Sequence, residues 1–473
     1  MFYSFVKMGL ADGGFVSLFI MVEISRCFMV RKEYSCVNKD IIDGGMKMDK
    51  IRINLDELLL CFSNALDLIS PILSNHHQQV AYLSFFLAEQ VKLPVEEQKD
   101  VFLAALVHDI GALSKKERLE LIEAEPPTVN NHGLKGAKLL ERFRPLQNAA
   151  NIIKFHHLPW DYGDGRVYMG ENVPLASHII HLADRTCAMF HPDRNVLTQL
   201  PEILAAVREK SNSVFEPGLV NALFELSKKE YIWLDLMTSR SPVKKIAENG
   251  LLDILVLEID DVIDLAFIFS QIIDFRSRFT ACHSAGVAKT AEQLAQLVGF
   301  SPVECRVMLI AGYLHDLGKV AVDNRILEKP GKLDEDEFNE IRAHTYYTYH
   351  LLDAIPQFDT IKTWASYHHE KLNGTGYPFH IKGDNLSLGS RVMAVADVFT
   401  AITEDRPYRR GMNDSQAIKV LNSMVAEGSL DGMVVEVLLD HFQGINTLRE
   451  HAQQEATERY DRFLQTEGLL STV

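Results

Sequence analysis

The sequence predicts an all-α protein that folds as two tandem helical bundles. Two observations carry this prediction: apolar residues recur at helical spacing in both halves, and one ordered set of histidine and aspartate motifs occurs twice along the 473 residues. Strict alternation of apolar and polar residues, which is typical of half-buried strands, is scarce. A chain of this length exceeds a single compact core and fits two or three domains.

The repeated motifs run in the same order in each half: a histidine, a His-Asp pair, a third histidine, a His-His pair and an aspartate. In the C-terminal half these landmarks are His283, His315, Asp316, His344, His368, His369 and Asp397. In the N-terminal half they are His76, His108, Asp109, His132, His156, His157 and Asp184. The first two histidines lie 32 residues apart in both copies, and 24 residues separate the third histidine from the His-His pair. This agreement indicates an internal duplication.

Helical periodicity accompanies the landmarks in each copy. Val287 and Leu294 fall on one helix face in the second copy, as do Val80 and Leu87 in the first. We expect five segments: an N-terminal extension (1–48), a first bundle (49–230), a linker (231–262), a second bundle (263–450) and a C-terminal helix (451–473). The charged stretch from Glu455 to Gln465 predicts that the last helix is solvated.

The N-terminal extension does not share the helical patterning. Its apolar run from Phe15 to Val22 is too short to span a bilayer. No small-residue cleavage site follows an uninterrupted apolar core, which argues against a signal peptide. Met46 and Met48 lie just before the patterned region, so we expect translation to start near them and residues 1–45 to be absent from the mature protein.

Charge and cysteine usage narrow the function classes. The formal net charge of −16 argues against sequence-independent DNA or RNA binding and against electrostatic docking on an anionic membrane. None of the six cysteines forms a CxxC pair, so we expect a reducing, cytoplasmic compartment. A small anionic substrate is compatible with this charge, because bound divalent metals would dominate the field of a pocket. The sequence leaves the oligomeric state open.

The seven landmarks of the second copy are candidate metal ligands. Imidazole and carboxylate suit Fe or Mn, and also Ni or Zn. His315 and Asp316 can aim two ligands at one point, with Asp316 bridging two ions. Two ions could activate a hydroxide for in-line attack on phosphorus and clamp the phosphate. Lys319 would lie one helical turn after His315 if that helix continues, where its charge could balance the phosphate.

The alternative to metal binding is that these histidines and aspartates have only a structural role. A lone histidine on an apolar helix is more often a core or surface residue than a ligand, roughly four to one. Seven such residues in a repeated order reverse those odds. Structural zinc sites prefer closed sets of four Cys or His ligands, whereas this set is larger and contains no cysteine.

Three motifs of the second copy resemble the HD-GYP family of HD phosphohydrolases: HDLGK (315–319), HHEKLNGTGYP (368–378) and ADVFTAITEDRPYR (396–409). The likeness covers roughly residues 260–445. It implies an HD-type helical fold and a metal-dependent phosphodiesterase that linearises cyclic di-GMP or 3′,3′-cyclic GMP-AMP. An HD-like half before an HD-GYP half resembles the bacterial cyclic GMP-AMP phosphodiesterases.

The same resemblance implies roles for individual residues. It assigns metal binding to all seven landmarks of the second copy, and a catalytic role to Asp316 and Lys319, with Lys319 touching the scissile phosphate. It places Tyr377 of the Gly-Tyr-Pro turn near the substrate, and it makes Arg406 and Arg409 phosphate-gripping residues. Alternatively, these arginines belong to a solvated loop and Gly-Tyr-Pro is a simple turn.

Two departures from the family pattern matter. Members with three metals carry a glutamate four residues before the first histidine, where this chain has Phe279, so we expect two metals. Asn373 stands where the family usually has an aspartate, and its effect on the loop or on specificity is open.

The first copy keeps a full set of landmarks but lacks the groups that would hold phosphate. Ala112 stands at the position of Lys319, and Asp193 stands at the position of Arg406. Loss of two charge-assisted contacts should weaken binding of an anionic substrate. The first copy is therefore either a degenerate, regulatory HD domain or a helical scaffold.

Three functions stay open at the level of sequence. The first is hydrolysis of a cyclic dinucleotide. The second is another HD-type nucleotide phosphohydrolase, against which the Gly-Tyr-Pro and DRPYR motifs argue. The third is a catalytically silent cyclic dinucleotide receptor, against which the full ligand set and Lys319 argue.

Overall fold

The computed structural model describes residues 53–68, 75–123, 130–237, 246, 255–276, 282–329, 331–405 and 410–470. In these ranges the regular secondary structure consists of helices and two pairs of two-residue strands. The all-α prediction is therefore confirmed. The expected extension 1–48, Phe279, Arg406 and Arg409 lie outside the described residues.

The first copy contains ten helices in its described ranges. They are α1 (Leu55–Asp67), α2 (His76–Gln90), α3 (Val95–Leu106), α4 (Lys115–Glu123), α5 (Asn130–Leu140), α6 (Gln147–Ile153), α7 (Leu175–Ala188), α8 (Val196–Glu209), α9 (Pro217–Leu226) and α10 (Glu230–Leu236). Its strands are β1 (Ile53–Asn54), β2 (Val167–Tyr168) and β3 (Glu171–Asn172). Helix α10 begins where we expected the linker, and it packs on α2 and α8.

The second copy follows strand β4 (Val256–Leu257). Its helices are α11 (Ile259–Asp274), α12 (His283–Leu297), α13 (Pro302–Leu314), α14 (Asn324–Leu327), α15 (Glu335–Leu352), α16 (Asp359–Ser366), α17 (Leu388–Thr403), α18 (Asp414–Ala426), α19 (Gly432–Asp440) and α20 (Phe442–Leu470). Capping boxes begin four of them: Glu258 with Asp261 at α11, Ser301 with Glu304 at α13, Asp334 with Glu337 at α15, and Asn413 with Gln416 at α18.

The two copies share one packing plan. Helices α2 and α12 both span 15 residues and both begin at the first landmark histidine, His76 or His283. Each packs between the helix that leads into the His-Asp pair (α3 or α13) and the helix that carries the last aspartate (α7 or α17). This arrangement brings landmarks distant in sequence to one point in each bundle, and it confirms the prediction of two tandem bundles.

Equivalent elements of the two copies meet each other at the junction. Phe62 of α1 and Phe269 of α11 occupy equivalent positions, 207 residues apart as are His76 and His283. Their rings stack with centroids 3.3 Å apart and planes within 9°. Strands β1 and β4 pair antiparallel, with Ile53 opposite Leu257. Because equivalent elements of the two copies contact each other, the copies are related by an approximate two-fold axis.

Arg276 ties the two His-Asp regions together at this junction. Its guanidinium is buried and donates to the carbonyls of Leu113 in the first copy (3.1 Å) and of Lys319 and Val322 in the second (both 2.7 Å). Asn324 accepts a further bond at 2.6 Å. Burial and the neighbouring Arg118 lower the pKa of Arg276 to about 10, and it carries its charge at neutral pH.

The prediction of a solvated C-terminal helix is correct for one face of that helix only. Helix α20 begins at Phe442, ahead of the expected boundary at 451, and packs on α12 of its own copy and on α5 of the first. Ala452, Ala456 and Phe463 are buried along one stripe of the helix. The charged residues that suggested solvation occupy the rest of its surface, so the buried stripe was obscured in the sequence.

No helix in the described ranges combines the length and apolar character needed to cross a membrane.

We predict that Arg276→Met destabilises the metal-free protein by about 3–5 kcal/mol, because several buried acceptors lose a charged donor. The midpoint of thermal unfolding followed by circular dichroism should fall by several degrees. Arg325→Met is the matched control, since the Arg325 side chain is 89% exposed. Equal midpoints for the two variants would contradict the role given to Arg276.

Candidate metal centre

The structure brings all seven predicted ligands of the second copy together. His283 begins α12, His315 and Asp316 follow α13, His344 lies within α15, His368 and His369 follow α16, and Asp397 lies within α17. Six of them are buried, and His369 is the exception, with 30% of its side chain exposed. The site therefore lies inside the bundle and opens to solvent beside His369.

Close backbone contact sets the approach of the third histidine. A Cβ atom on Gly318 would lie 2.0 Å from the carbonyl oxygen of His344, so only glycine permits α15 to pass so near the His-Asp turn. Gly111 has the same relation to His132 in the first copy, again at 2.0 Å. The glycine of the HDLG and HDIG motifs is thus required by packing.

Helix geometry fixes the orientation of three of the histidine rings. Each places its Nδ1 near a carbonyl three residues earlier: His315 near Gly312 (2.7 Å), His344 near Ile341 (2.5 Å) and His368 near Ala365 (2.6 Å). Because a carbonyl only accepts, Nδ1 is the donor in each pair, and the neutral ring keeps an electron pair on Nε2. All three Nε2 atoms face the centre of the site, as metal ligands require.

Asp316 lies between two groups of histidines. Its Oδ2 is 3.2 Å from Nε2 of His315, and its Oδ1 is 3.3 Å from Nε2 of His344 and 3.9 Å from Nε2 of His368. On the side of His315, Nε2 of His283 lies 3.2 Å from Oδ1 of Asp397. The donor atoms of His283, His315 and Asp397 lie within 4.8 Å of one another, as do those of His344, His368 and His369.

The protonation states suit cation binding by most of the set. Burial, which disfavours the imidazolium form, lowers the pKa of His344 to about 3 and that of His369 to about 4. Burial would raise the pKa of Asp316, but His315 and Lys319 hold it well below its usual range. At neutral pH the site thus offers the uncharged imidazoles of His344, His368 and His369 beside a carboxylate. These are the donors that Fe, Mn, Ni and Zn accept, so the residues fit a divalent metal.

Lys319 reaches the centre by a different route from the one the sequence suggested. Helix α13 ends at Leu314 and does not continue through the motif; a 3₁₀ turn spans Leu317–Ala321. The Lys319 ammonium group lies 2.5 Å from Oδ2 of Asp316, with 18% of the side chain exposed. A cation therefore stands beside the proposed bridging carboxylate.

The opening of the site is bordered by Tyr377. Its ring centroid lies 4.9 Å from that of His369, and the guanidinium of Arg342 lies 5.1 Å above the same ring. Glu370 holds the turn by accepting the backbone N–H groups of Phe379 (2.7 Å) and Ile381 (3.0 Å). The sequence analysis missed Arg342, although its place two residues before a ligand histidine was a usable signal.

Asn373, the departure from the family's aspartate, is used by the loop. Its amide donates to the carbonyl of Glu427 at 3.0 Å, and its oxygen accepts from the backbone N–H of Thr375 at 3.0 Å. A carboxylate could not make the first of these bonds. Asn373 therefore ties the Gly-Tyr-Pro turn to the residue that follows α18, and its other contact is with Thr375 of the same turn.

Glu404 is a second residue that the sequence analysis missed. This buried carboxylate lies 3.0 Å from Nδ1 of His283. Burial lowers the pKa of His283, but Glu404 and Asp397 outweigh it and raise the pKa to about 10. No motif spacing indicated the contact, because 121 residues separate the partners.

The first copy reproduces the geometry of the second. Nε2 of His76 lies 3.0 Å from Asp184, and Nε2 of His132 lies 3.1 Å from Asp109 and 3.2 Å from Nε2 of His156. The set comprising Asp109, His132, His156 and His157 has donor atoms within 4.8 Å of one another. All seven first-copy landmarks are buried. The predicted ligand sets of both copies are thus assembled.

The two sites differ in access and charge. His157 is 3% exposed, whereas its counterpart His369 borders the opening. Arg185 donates through Nε (3.0 Å) and Nη2 (2.8 Å) to Oδ2 of Asp184 and so occupies part of that carboxylate. Ala112 is buried where the second copy has Lys319. The first site is closed and has alanine in place of the lysine that follows the second His-Asp pair.

Comparison with known proteins agrees with the duplicated architecture. A family model described as HD domain matches residues 268–434, and a second model of the same description matches residues 73–189. The 3′3′-cGAMP-specific phosphodiesterase 1 of Vibrio cholerae is 30% identical over 83% of this chain and 92% of its own length. The 3′3′-cGAMP-specific phosphodiesterase 3 of V. cholerae is 28% identical over 78% of this chain and 90% of its own length.

Other relatives match a smaller part of this chain. A cyclic di-GMP phosphodiesterase of Pseudomonas aeruginosa is 40% identical, over 30% of this chain and 34% of its own length. Among solved structures, a cyclic GMP-AMP phosphodiesterase of V. cholerae superposes with a TM-score of 0.57 over 83% of this chain and 98% of that one. At 24% identity this last likeness supports the fold.

Proposed function

The chain belongs to the tandem HD-domain phosphodiesterases of the HD-GYP type, and we propose that its C-terminal bundle hydrolyses a cyclic dinucleotide to a linear dinucleotide. The observation that carries the proposal is the position of Asp316 between two groups of inward-facing ligands, beside Lys319. A carboxylate with one oxygen toward each group is suited to bridge two cations.

The ligand set divides naturally between two divalent ions. His283, His315 and Asp397 would hold one ion, and His344, His368 and His369 the other, with Asp316 shared. Fe or Mn fits this nitrogen and oxygen set best, and Ni or Zn is also compatible. When bound, the metals supply Lewis-acid polarisation of the phosphate and a water acidic enough to act as nucleophile at neutral pH.

The residues around the ions would bind and orient the substrate. Lys319 is placed to pair with a non-bridging phosphate oxygen, and its charge would offset the negative charge that develops during attack. Tyr377, with Arg342 above its ring, borders the opening and would contact a base or the second phosphate. Arg406 and Arg409, which lie outside the described residues, are proposed to hold phosphate because of the resemblance of their motif to the family.

Domain organisation favours 3′,3′-cyclic GMP-AMP over cyclic di-GMP. The cGAMP-specific relatives match this chain across both bundles and about nine-tenths of their own length. The Pseudomonas cyclic di-GMP phosphodiesterase matches over about one third of its length. The preference rests on this shared organisation.

We propose further that the first copy binds metal without hydrolysing the dinucleotide. Its imidazoles and carboxylates lie at mutual distances similar to those of the second copy: His132 to Asp109 at 3.1 Å against His344 to Asp316 at 3.3 Å. Its burial, the pairing of Asp184 with Arg185 and the absence of a lysine leave no place for a phosphate. The bundle would then act as a metal-stabilised regulatory partner of the catalytic one.

The central experiment measures hydrolysis of 3′,3′-cyclic GMP-AMP and cyclic di-GMP by the purified full chain, in Mn²⁺ or anaerobic Fe²⁺. We expect a linear product, faster turnover of cyclic GMP-AMP, and loss of activity in Asp316→Ala. Absence of cleavage in every metal, with dinucleotide binding retained, would instead support a catalytically silent receptor.

Lys319→Met should lower kcat/KM by roughly 10–100-fold, the effect of losing one charge-assisted contact of about 1.5–3 kcal/mol. Because Lys319 is not a proposed ligand, metal content measured by elemental analysis should stay unchanged. Lys289→Met is the matched control, since Lys289 is 41% exposed and pairs only locally with Glu292. An unaltered kcat/KM in Lys319→Met would show that Lys319 takes no part in hydrolysis.

Asp109→Ala should lower the number of metal equivalents bound by the full chain while leaving residual dinucleotide hydrolysis, because it disrupts the first site only. Elemental analysis after metal loading gives the count, and Asp316→Ala provides the reciprocal comparison. A count equal to that of the unaltered chain would leave the first copy as a helical scaffold.

A further inference from the structure

We propose that helix α20 is part of the catalytic centre: through Gln453 it holds Glu404, and Glu404 positions the metal ligand His283. The inference deepens the proposed function and rests on it for the identity of His283 as a ligand. Glu404 and Gln453 act through His283 and are positioning residues.

His283 needs an external partner for a geometric reason. His315, His344 and His368 each bond Nδ1 to a carbonyl three residues earlier. His283 is the first residue of α12, so no turn of its own helix precedes it. Glu404 takes the place of the missing carbonyl, 3.0 Å from Nδ1, and directs Nε2 toward Asp397 at 3.2 Å.

Glu404 is held in turn from α20. The side-chain amide of Gln453 donates to Oε2 of Glu404 at 3.1 Å. Nη1 of Arg449 donates to Oε1 of Gln453, which fixes the orientation of the amide so that its NH₂ group faces Glu404. Arg449, Gln453 and Glu404 are all buried, with exposures of 3%, 8% and 5%. These hydrogen bonds, from Arg449 to Gln453 and from Gln453 to Glu404, form a relay that is shielded from competing water.

The central helix is shaped to admit this contact. A Cβ atom on Gly286 would lie 2.9–3.0 Å from the Nε2, Cδ and Cγ atoms of Gln453. A larger side chain at this position would displace the Gln453 side chain from its place beside Glu404. The glycine one turn after His283 thus allows the C-terminal helix to reach the partner of that histidine.

The described residues of the first copy contain no counterpart of these contacts. His191 stands seven residues after Asp184, where the second copy has Glu404 after Asp397. Gln79 takes the place of Gly286 and donates to the carbonyl of Leu236 at 3.1 Å. The relay is thus confined to the copy that we propose is catalytic. Helix α20 also lies beyond residue 434, where the matched HD domain model ends.

The expected effect follows from the behaviour of other metal sites. A partner that bonds the second nitrogen of a ligating histidine fixes the ring and raises its basicity, and its loss typically lowers metal affinity roughly 10–100-fold. Loss of Gln453, one bond further away, should have the same direction and a smaller size. Both effects belong to metal binding and need no substrate.

The test compares full-chain Glu404→Ala, Glu404→Gln and Gln453→Ala with Gln454→Ala, whose side chain lies on the exposed face of α20 and bonds Glu458. Affinity for Co²⁺ or Mn²⁺ is measured by competition with a chelator, without dinucleotide, and the visible spectrum of bound Co²⁺ reports its ligands. The same variants in an Asp109→Ala background assign the affected metal to the second copy.

We expect Glu404→Ala to bind one metal roughly 10–100-fold more weakly, Glu404→Gln to recover part of the loss, and Gln453→Ala to show a smaller loss with an altered Co²⁺ spectrum. Gln454→Ala should match the unaltered chain. Thermal unfolding of the metal-free variants separates this effect from general destabilisation.

Unchanged affinity and spectrum in Glu404→Ala would overturn the proposal, even if the unfolding temperature fell. If Glu404→Ala does not fold, Gln453→Ala decides, and metal binding equal to that of Gln454→Ala overturns it. The readout uses no dinucleotide, so absence of hydrolysis would count against the proposed function and leave this result standing.

Discussion

Asp316 is a buried carboxylate that stays charged because histidine side chains and Lys319 surround it. Removing a carboxylate from water costs several kcal/mol unless opposite charge or hydrogen-bond donors compensate. The second bundle meets this constraint by bringing side chains from five helices or helix ends to one point. A bound cation would relieve the same cost, so the requirement for stability and the requirement for metal binding coincide at this residue.

Duplication makes this solution available twice, and divergence separates the two uses. Both bundles bury a His-Asp pair under a glycine that permits the next helix to pass close by. In the first bundle Arg185 neutralises Asp184 directly, and the site is closed. In the second bundle Lys319 pairs with Asp316, and the site opens to solvent beside His369. The cation thus pairs with the last aspartate in the first bundle and with the aspartate of the His-Asp pair in the second.

The junction between the bundles has a direct connection to the catalytic turn. Arg276 bonds the backbone carbonyl of Lys319 in the second copy and that of Leu113 in the first. The turn that carries the proposed phosphate-binding lysine is therefore braced against the other bundle. This contact gives the first copy a physical means of supporting the second, whether or not it also holds a metal.

The sequence by itself determined the duplication, the helical class and the set of candidate ligands, because these depend on residue type and spacing along the chain. Equal intervals between landmarks survive in the sequence, and helices preserve local periodicity. Tertiary structure alone decided the partners of those ligands. Glu404 is 121 residues from His283, and the buried stripe of α20 is masked by charged neighbours. The 3₁₀ turn at Lys319 likewise follows from packing against α15 at Gly318, since the local sequence does not specify where α13 stops. Contacts between distant segments leave no periodic signal, so only the packing of the helices could reveal them.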